Sequence, residues 1–536
     1  MTKDVTGAPD AGLDAALAEL ARRDIVRRIW RGDYSVWCEE ATEITDRLGW
    51  LTVAGEMAAA VPELTAFGAE IAGASFRHVV LLGIGGSSLG PEVLRRSFGQ
   101  APGYPELIVL DSTVPGAVGM VRAAIDPAQT LFLVSSKSGT TVETLALYRF
   151  FHGLAVAAVG KDKAGQNFVA ITDPATPLVD LATKAGFRRC FLNPPDIGGR
   201  YAVLSYVGLV AAALAGIDIV KLLDSAGVMR QACENADPGD NPGAYLGACL
   251  GAAIHSGRDK ITLITSPAVS SFGLWVEQLL AESLGKDGRG LVPVIDEPSL
   301  ETAGYGADRT FVYLRLSGDD NTASDKLVRG LEVVGKSVLT IEVIDCYDLG
   351  AEFYRWEFAT AVSGALIGVH PFNQPDVQGT KIATSKILDE YAASGRLPAV
   401  TDSTSLADLL SRIARGKYLA ILAYLAPTPA VAAALTDLRR EIARRYGIAT
   451  TLGYGPRYLH STGQLHKGGL ASGLFLQLTA DHETDFEIPG MSVTFGVLAD
   501  AEALGDLQAL QNRGRSVARV NLGTDAAAAI RQLLVV

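Results

Sequence analysis

The sequence predicts an α/β protein built from doubly wound parallel sheets. Ten apolar runs of five to seven residues alternate with helix-length segments, which is the pattern of consecutive βαβ units. The runs are continuous rather than alternating with polar residues, as expected for strands that helices cover on both faces. The length of 536 residues, with 48% hydrophobic residues and 57 Gly, fits a globular chain of roughly three to four structural units.

The first segment of the chain is predicted to be helical. Residues from about Leu13 to Glu70 show amphipathic periodicity, with Asp24 to Trp50 the most regular part. We therefore expect an N-terminal helical cap over residues 1–72.

Three groups of predicted strands follow the cap, and they divide the rest of the chain. The first group predicts a domain over residues 73–236 and the second a domain over residues 237–400, after a Pro/Gly/Asn/Asp-rich junction at Asp237 to Gly243. The third group, after a linker around Pro398 to Ser405, predicts a C-terminal α/β extension over residues 401–536. The ten runs are VVLLGIG, LIVLD, TLFLVSS, FVAITD, ITLITS, TFVYLRL, VLTIEVI, LAILAYL, LFLQLT and ARVNLG.

Composition excludes several classes of function. Lys and Arg number 47 against 59 Asp and Glu, and the resulting net charge of −12 is spread without basic blocks. This argues against nucleic acid or an anionic membrane as a partner. The 17 uncharged residues from Tyr201 to Ile217 are at the short limit for a membrane span and are predicted to form a buried helix.

The cysteines and the N-terminus predict a cytoplasmic protein. Five widely spaced cysteines form no C-x-x-C pair, so neither a disulfide framework nor a structural zinc site is expected. The N-terminus has acidic residues where a signal peptide needs a basic start and an apolar run.

A glycine-rich loop, GIGGSSLGP at Gly83 to Pro91, follows the first predicted strand and opens a helix. Glycines let the backbone approach an anionic ligand there, while the helix N–H groups face it. Two other interpretations stay open. The glycines can serve a tight turn only, and the G-x-S-x-G pattern around Ser88 is also the nucleophile elbow of serine esterases.

A hydroxyl-rich loop, SSKSGTTVET, follows the third predicted strand and also precedes a helix. An ordinary helix cap needs one Ser or Thr. From Ser136 to Thr141 this loop has four hydroxyl groups and one ammonium group, and a phosphate needs such donors and charge together. Phosphate binding is therefore preferred over capping for Ser136, Lys137, Ser138, Thr140 and Thr141.

Arg200, in the segment DIGGRYAVLS, is predicted to begin the long apolar helix. A cation is unfavourable at a helix N-terminus, so helix stability does not explain it. Such a charge suits a site where negative charge develops on a substrate oxygen. The alternative is an ion pair with Asp196 or another acid.

Glu282 is predicted to lie on the apolar stripe of a helix. Trp275, Leu279 and Glu282 are spaced i, i+4, i+7, which places the carboxylate among buried side chains, where it would suit a general base. The alternative is a salt bridge to Lys286 at i+4.

Lys381, in the segment HPFNQPDVQGTK, is predicted to share a helix face with Val377 and Leu388. Asp376, which follows Pro375, is the expected cap of that helix. An inward lysine usually has an anionic partner.

Five segments in this order, GIGGSSLGP, SSKSGTT, GGRYAVLS, AESLGK and NQPDVQGTK, resemble the phosphoglucose isomerase family over about 300 residues. The N-terminal cap and the segment GYGPRYLHSTGQLHKGG are most similar to the isomerase half of bifunctional transaldolase/phosphoglucose isomerases. Because the resemblance begins near Asp24, no room is expected for a transaldolase barrel of about 200 residues or more.

The resemblance implies two sugar-isomerase (SIS) domains of flavodoxin-like type. It also implies interconversion of D-glucose 6-phosphate and D-fructose 6-phosphate through a cis-enediol(ate), with no cofactor and no metal. Ser136, Lys137, Ser138 and Thr141 would hold the 6-phosphate, with Gly86 and Ser87 beside the sugar phosphate. Family members usually have Thr where this chain has Ser138, a change that keeps the hydroxyl.

The resemblance also assigns the reacting groups. Glu282 would move the proton between C1 and C2, and Arg200 would stabilise the enediolate. Gln374 and Lys381 would orient the sugar and assist ring opening. A homodimer in the cytoplasm is expected.

One departure from the family concerns the ring-opening histidine. It normally follows the catalytic glutamate by a few dozen residues, and this chain has no His there. A matching LHSTGQ motif lies far downstream, at Leu459 to Gln464. Our hypothesis is that the motif has been transposed, so that His460 opens the ring, with His466 as the second choice. A structural histidine is the remaining alternative.

Other functions are considered beside this one. Relaxed specificity that includes mannose 6-phosphate is the nearest. A sugar-phosphate-sensing SIS regulator would carry a helix-turn-helix and a basic face, and the sequence shows neither. The esterase interpretation would need Ser88 as nucleophile.

Overall fold

The computed structural model describes residues 5–7, 12–399 and 404–533. These residues form three sheets, and every strand pair except one is parallel. The α/β fold class predicted from the sequence is confirmed, and all ten apolar runs contain strands.

The N-terminal segment is helical, but less than predicted. It contains helices α1 Leu13–Arg22, α2 Ile25–Trp30, α3 Val53–Met57 and α4 Val61–Ala72. The prediction was wrong for most of Asp24 to Trp50, since only α2 is an α-helix there. Gly32 has a φ of +68°, a left-handed conformation that ends a helix.

The first sheet has five parallel strands in the order β3-β2-β4-β5-β6. Its strands are β2 His78–Leu82, β3 Glu106–Leu110, β4 Thr130–Ser135, β5 Phe168–Thr172 and β6 Arg189–Leu192. Its helices are α5 Leu89–Phe98, α6 Pro115–Ala124, α7 Val142–Val159, α8 Lys161–Ala164, α9 Pro177–Lys184, α10 Tyr206–Leu214 and α11 Ile219–Ala232. The strand order reverses beside β2 and β4, and ligands of open α/β sheets bind where the order reverses. The glycine-rich and hydroxyl-rich loops follow those two neighbouring strands.

The second sheet has the order β1-β10-β9-β7-β8. Its parallel strands are β7 Lys260–Thr265, β8 Val292–Val294, β9 Arg309–Leu316 and β10 Val338–Val343. Its helices are α12 Pro242–His255, α13 Phe272–Leu284, α14 Thr322–Val333, α15 Leu349–Ile367 and α16 Gln378–Ser394. The strand β1 (Val5–Gly7), which sequence patterning missed, pairs antiparallel with β10.

The third sheet has four parallel strands in the order β12-β11-β13-β14. These are β11 Tyr418–Tyr424, β12 Ala449–Tyr454, β13 Gly473–Thr479 and β14 Ser516–Asn521. Its helices are α17 Leu406–Ser411, α18 Pro429–Tyr446, α19 Gly463–Gly468, α20 Phe495–Asn512 and α21 Ala526–Leu533. The division of the chain into four domains stays a prediction.

Aromatic packing joins the N-terminal segment to both following parts of the chain. Trp50 is fully buried, and its ring lies 5.3 Å from that of Tyr201 and 6.3 Å from that of Phe358 on α15. Burial of an aromatic side chain of this size stabilises a fold by roughly 2–3 kcal/mol.

The apolar stretch from Tyr201 to Ile217 is buried, as predicted, but its helix begins later than expected. Arg200 lies in a single 3-10 turn, Gly199–Tyr201, and α10 starts only at Tyr206. The Ser205 hydroxyl accepts a hydrogen bond from the Val207 N–H at 3.4 Å, which sets the helix start there. The argument that Arg200 stands at a helix N-terminus was therefore wrong.

One helix of the described chain, α7, meets the length and composition of a membrane span. It is 18 residues long, with 44% of it buried inside the protein. Core helices of soluble proteins pass the same test, so this feature is weak evidence for a membrane span.

Candidate active site

A cavity of about 390 Å³ lies between the first sheet, α13, α16 and the third-sheet unit. Each of these four parts contributes side chains to its wall. The lining residues are Ser138, Thr140, Thr141, Val142, Glu143, Glu282, Gln374, Val377, Thr380, Lys381, Thr384, Ser385, Leu388, Leu459, His460, Leu498 and Glu502.

The glycine-rich loop lets other backbones approach closely. A Cβ on Gly85, whose φ is +59°, would lie 2.7 Å from the His460 Cβ and from its carbonyl oxygen. A Cβ on Gly86 would lie 2.3 Å from the carbonyl carbon of Gly199, next to Arg200. Side chains at these two positions would therefore displace the segments that carry His460 and Arg200.

The hydroxyl-rich loop turns three of its five polar residues to the cavity: Ser138, Thr140 and Thr141. Ser136 is buried beneath the loop, and its hydroxyl lies 2.9 Å from that of Thr141. The Ser138 and Thr140 hydroxyls are also 2.9 Å apart. The hydroxyls of this loop are thus positioned by contacts with one another.

Lys137 points away from the cavity. Its ammonium group contacts the carboxylate of Asp173 and donates to the Pro195 carbonyl at 2.8 Å. Together with Gly86 and Ser87 it lines a second, much smaller pocket of about 10 Å³.

Arg200 is almost fully buried, with 3% of its surface exposed. Its guanidinium donates to Ser283 Oγ at 2.7 Å, to Gln374 Oε1 at 3.1 Å and to the carbonyls of Pro371 and Asn373. One nitrogen lies 3.5 Å from Glu282 Oε2. The ionic partner is therefore Glu282 rather than Asp196. The cavity lining includes Glu282 but not Arg200, so the guanidinium lies beside that carboxylate and not in the wall itself.

Glu282 faces the cavity from the buried helix α13. Its Oε2 accepts from Gln278 Nε2 at 3.2 Å besides its contact with Arg200. Lys286 makes no ion pair with it, because its ammonium group donates to the carbonyl of His370. Burial, with Arg200 nearby, holds the pKa of Lys286 well below its usual range. The alternative of a structural Glu282–Lys286 salt bridge is wrong.

The segment from Gln374 to Lys381 borders the cavity, but two details differ from expectation. Lys381 lines the cavity with Val377 and Leu388, yet it is exposed rather than inward. Asp376 does not cap the helix. Its carboxylate accepts hydrogen bonds from Gln464 and Arg513 instead.

His460 reaches the cavity from the turn after β12. Its Nε2 lies 2.7 Å from Glu143 Oε1, a residue that sequence analysis missed. Burial acts to raise the pKa of Glu143, but the charge and hydrogen bond of His460 outweigh it, and the pKa is lowered. The result is an oriented imidazole with a carboxylate partner. The only signal for Glu143 was its place within the segment SSKSGTTVET, two residues after Thr141.

His466 does not line the cavity. It is buried, and its ring packs at 5.0 Å against that of Phe475 on β13. Burial lowers the pKa of His466 well below its usual range, which favours a neutral ring. Of the two histidines, the structure brings only His460 to the other predicted site residues.

Glu502, on α20, is a second cavity carboxyl that sequence analysis missed. It is 4% exposed, and it accepts a hydrogen bond from Thr113 Oγ1 at 2.8 Å. Burial, together with the negative charge of Glu143, raises its pKa well above the usual range. The neutral acid is therefore favoured, and it can donate a hydrogen bond.

Ser88 is fully buried, and its hydroxyl donates to the Gly85 carbonyl at 3.1 Å and to Asp111 at 3.2 Å. A nucleophile elbow exposes its serine above the sheet. The esterase interpretation is therefore not supported.

Within the described ranges, no three His, Cys, Asp or Glu side chains are grouped so that they could hold a metal ion. The five cysteines are all free.

Comparison with known proteins identifies the family. The phosphoglucose isomerase family model matches residues 62–290. A glucose-6-phosphate isomerase of Rubrobacter xylanophilus is 30% identical over 372 residues, which is 60% of this chain and 82% of the relative. The chain belongs to the phosphoglucose isomerase family. A glucose-6-phosphate isomerase of Staphylococcus saprophyticus is 31% identical over 346 residues, 56% of this chain and 78% of the relative.

Solved structures show the same fold for this family member. A hypothetical protein of Thermus thermophilus aligns with a TM-score of 0.61 at 25% identity, over 70% of this chain and 97% of that one. A glucose-6-phosphate isomerase of Chlamydia trachomatis aligns with a TM-score of 0.61 at 20% identity, over 72% of this chain and 88% of that one.

Glu277, on the same helix of the enzyme as Glu282, makes stability depend on pH. Its carboxyl is buried outside the cavity, and its Oε1 has no hydrogen-bond partner among the described residues. Burial raises its pKa from 4.5 to about 8, against the opposing charges of Arg457 and Arg439. Because the folded-state pKa is raised, the stability that the neutral acid contributes is full below pH 4.5 and is lost as pH rises towards 8.

We therefore expect Glu277→Gln to stabilise the enzyme progressively between pH 4.5 and 8. Above that range the gain in the free energy of unfolding should approach roughly 5 kcal/mol. A pKa difference of one between the folded and the unfolded state corresponds to about 1.4 kcal/mol. Melting temperatures measured at several pH values check this, with the exposed Glu332→Gln as the control. A gain that is constant across the pH range would contradict it.

Proposed function

We propose that this enzyme interconverts D-glucose 6-phosphate and D-fructose 6-phosphate. One observation carries the proposal: a base and an imidazole–carboxylate pair border the same cavity as a hydroxyl-rich loop, and a buried cation lies beside the base. These groups are Glu282, Arg200 and the pair His460–Glu143. Each is needed for a separate part of an aldose–ketose isomerisation, and family membership supports the assignment.

Substrate binding is assigned to the loop after β4. Ser138, Thr140 and Thr141 present hydroxyl donors at the start of α7, where N–H groups favour an anion. We assign the 6-phosphate to Ser136, Lys137, Ser138 and Thr141, with Gly86 and Ser87 beside it. Lys137 must then leave its contact with Asp173 or act through its backbone N–H.

Ring opening is assigned to His460 with Lys381 and Gln374. The hemiacetal hydroxyl at C1 loses a proton while the ring oxygen gains one, and an imidazole can carry out both transfers near neutral pH. Glu143 orients the imidazole of His460, because its Oε1 lies 2.7 Å from His460 Nε2. Lys381 is exposed at the cavity edge and free to move toward the sugar.

Proton transfer is assigned to Glu282. Its carboxylate takes the proton from C2 of the open aldose, and electrons shift to the C1 carbonyl oxygen to form the enediolate. Arg200, held by four hydrogen bonds, stabilises that oxyanion without having to reorganise. A proton then moves from the O2 hydroxyl to O1, and Glu282 returns the carbon-bound proton to C1, which leaves a carbonyl at C2 and gives the ketose.

The direct test is an assay of fructose 6-phosphate conversion to glucose 6-phosphate by the purified enzyme, with and without a strong chelator. We expect turnover to be equal in both, because the proposed steps use only side chains. Activity lost with chelator and restored by a divalent cation would contradict the metal-free mechanism. Absence of isomerisation would contradict the function, and parallel assays with mannose 6-phosphate measure specificity.

The oligomeric state of the enzyme and its cellular compartment are also part of this proposal. We infer a homodimer in the cytoplasm, as the resemblance implies and as the acidic net charge of −12 allows. Sedimentation of the active enzyme as a monomer would contradict the dimer. The four-part division of the chain is tested by limited proteolysis, with cleavage expected between the predicted domains; residues 400–403 of the last predicted linker lie outside the described residues.

A further inference from the structure

The side chain of Gln464 lies in the short helix α19, between three segments that border the cavity. It is completely buried. Its Oε1 accepts from the backbone N–H of Asp376 at 2.9 Å. Its Nε2 donates to Asp376 Oδ2 at 2.6 Å and to the Gly285 carbonyl at 3.0 Å.

These hydrogen bonds join the segments that carry the proposed reacting groups. Gly285 follows Glu282 at the end of α13, and Asp376 stands between Gln374 and Lys381. Gln464 itself follows His460 in the same motif. One amide therefore contacts the base segment, the sugar-orienting segment and the histidine segment at once.

The packing around this amide leaves no space for displacement. A Cβ on Gly468 would lie 2.1 Å from Asp376 Oδ2, and one on Gly285 would lie 2.6 Å from the Leu465 Cα. The Gly288 N–H donates to the Gly468 carbonyl at 2.9 Å. Because α19 lies directly on the end of α13 and on Asp376, a small shift of one segment breaks hydrogen bonds of the others.

All polar atoms of the amide are used: the oxygen accepts once and the nitrogen donates twice. Removing the amide would leave the Asp376 N–H and the Gly285 carbonyl without this partner inside the protein. A buried polar group left unpaired is unfavourable, so the segments would move to satisfy it.

We propose that Gln464 is a positioning residue that fixes His460, Glu282 and the segment from Gln374 to Lys381 in one catalytic arrangement. It does not line the cavity, so it acts through these segments and not on the substrate. The inference rests on the proposed isomerase function.

The test uses a polarity swap in the full-length enzyme. Gln464→Glu places a carboxylate against that of Asp376, and kcat for fructose 6-phosphate is expected to fall about 100-fold while KM changes little, because a misplacement of about 1 Å has that effect on rate. Gln464→Glu combined with Asp376→Asn restores a donor and an acceptor between the two side chains. We expect kcat of the double variant to be at least tenfold higher than kcat of Gln464→Glu.

The control is Gln477→Met, which removes a buried amide that donates to the Ala503 carbonyl at 2.9 Å, away from the cavity. It should lower the melting temperature without changing kcat. If Gln464→Glu does not fold, Gln464→Met is assayed instead, with the same expected loss of kcat.

Normal kcat in a folded Gln464 variant would overturn the proposal. Equal loss in the single and double variants at equal thermal stability would also overturn it. The wild-type assay distinguishes failure of this proposal from failure of the proposed function. A wild-type enzyme without isomerase activity would contradict the isomerase function itself, whereas the Gln464 variants test only the positioning role.

Discussion

Glu282→Gln is expected to lower kcat for fructose 6-phosphate by about 1,000-fold and to leave KM within a few fold. The amide has the same shape as the carboxylate and can keep its contacts with Gln278 and Arg200, but it cannot take the proton. A positioned general base contributes about 10²–10⁴-fold to rate. The measurement is steady-state kinetics, with an inhibitor-binding assay to show that the site remains formed.

The matched control for Glu282→Gln is Glu277→Gln, the same substitution on the same buried helix. Glu277 does not line the cavity, so kcat at neutral pH should change by no more than about twofold. An active Glu282→Gln variant would remove the proposed base. Equal losses in both variants would show that the effect comes from the helix rather than from the carboxylate.

His460→Ala is expected to lower kcat for ring-closed substrate by about 100-fold, whereas His466→Ala should leave kcat near the wild-type value. Only His460 borders the cavity, where Glu143 orients it at 2.7 Å. An imidazole acid/base contributes about 10²–10⁴-fold to a proton-transfer step. His466 packs against Phe475, so its loss should lower the melting temperature through a cavity in the core.

Glu143→Gln completes this comparison. It keeps the size of the orienting side chain but removes the carboxylate that lies 2.7 Å from the imidazole, and a loss smaller than that of His460→Ala is expected. If neither histidine variant slows turnover of ring-closed substrate, the transposition hypothesis fails. If His466→Ala alone does so, the assignment of the two histidines is reversed.

The sequence predicted correctly those features of the fold that depend on residues close together in the chain. Continuous apolar runs predicted ten strands, and the loops after β2 and β4 were recognised from their glycines and hydroxyls. It missed short or edge strands such as β6 and β8, whose few residues give little periodicity. Arg200 was placed at a helix start because the apolar run continues through the turn that precedes Tyr206.

The sequence alone determined the sheet class, the position of the hydroxyl-rich loop and the family, because strand periodicity and turn chemistry are local properties. Only the tertiary structure decided which side chains meet. The contact of His460 with Glu143 joins residues 317 apart, and Gln464 reaches Gly285 across 179. Such contacts depend on how the third-sheet unit packs against the first two, and no local pattern encodes that packing.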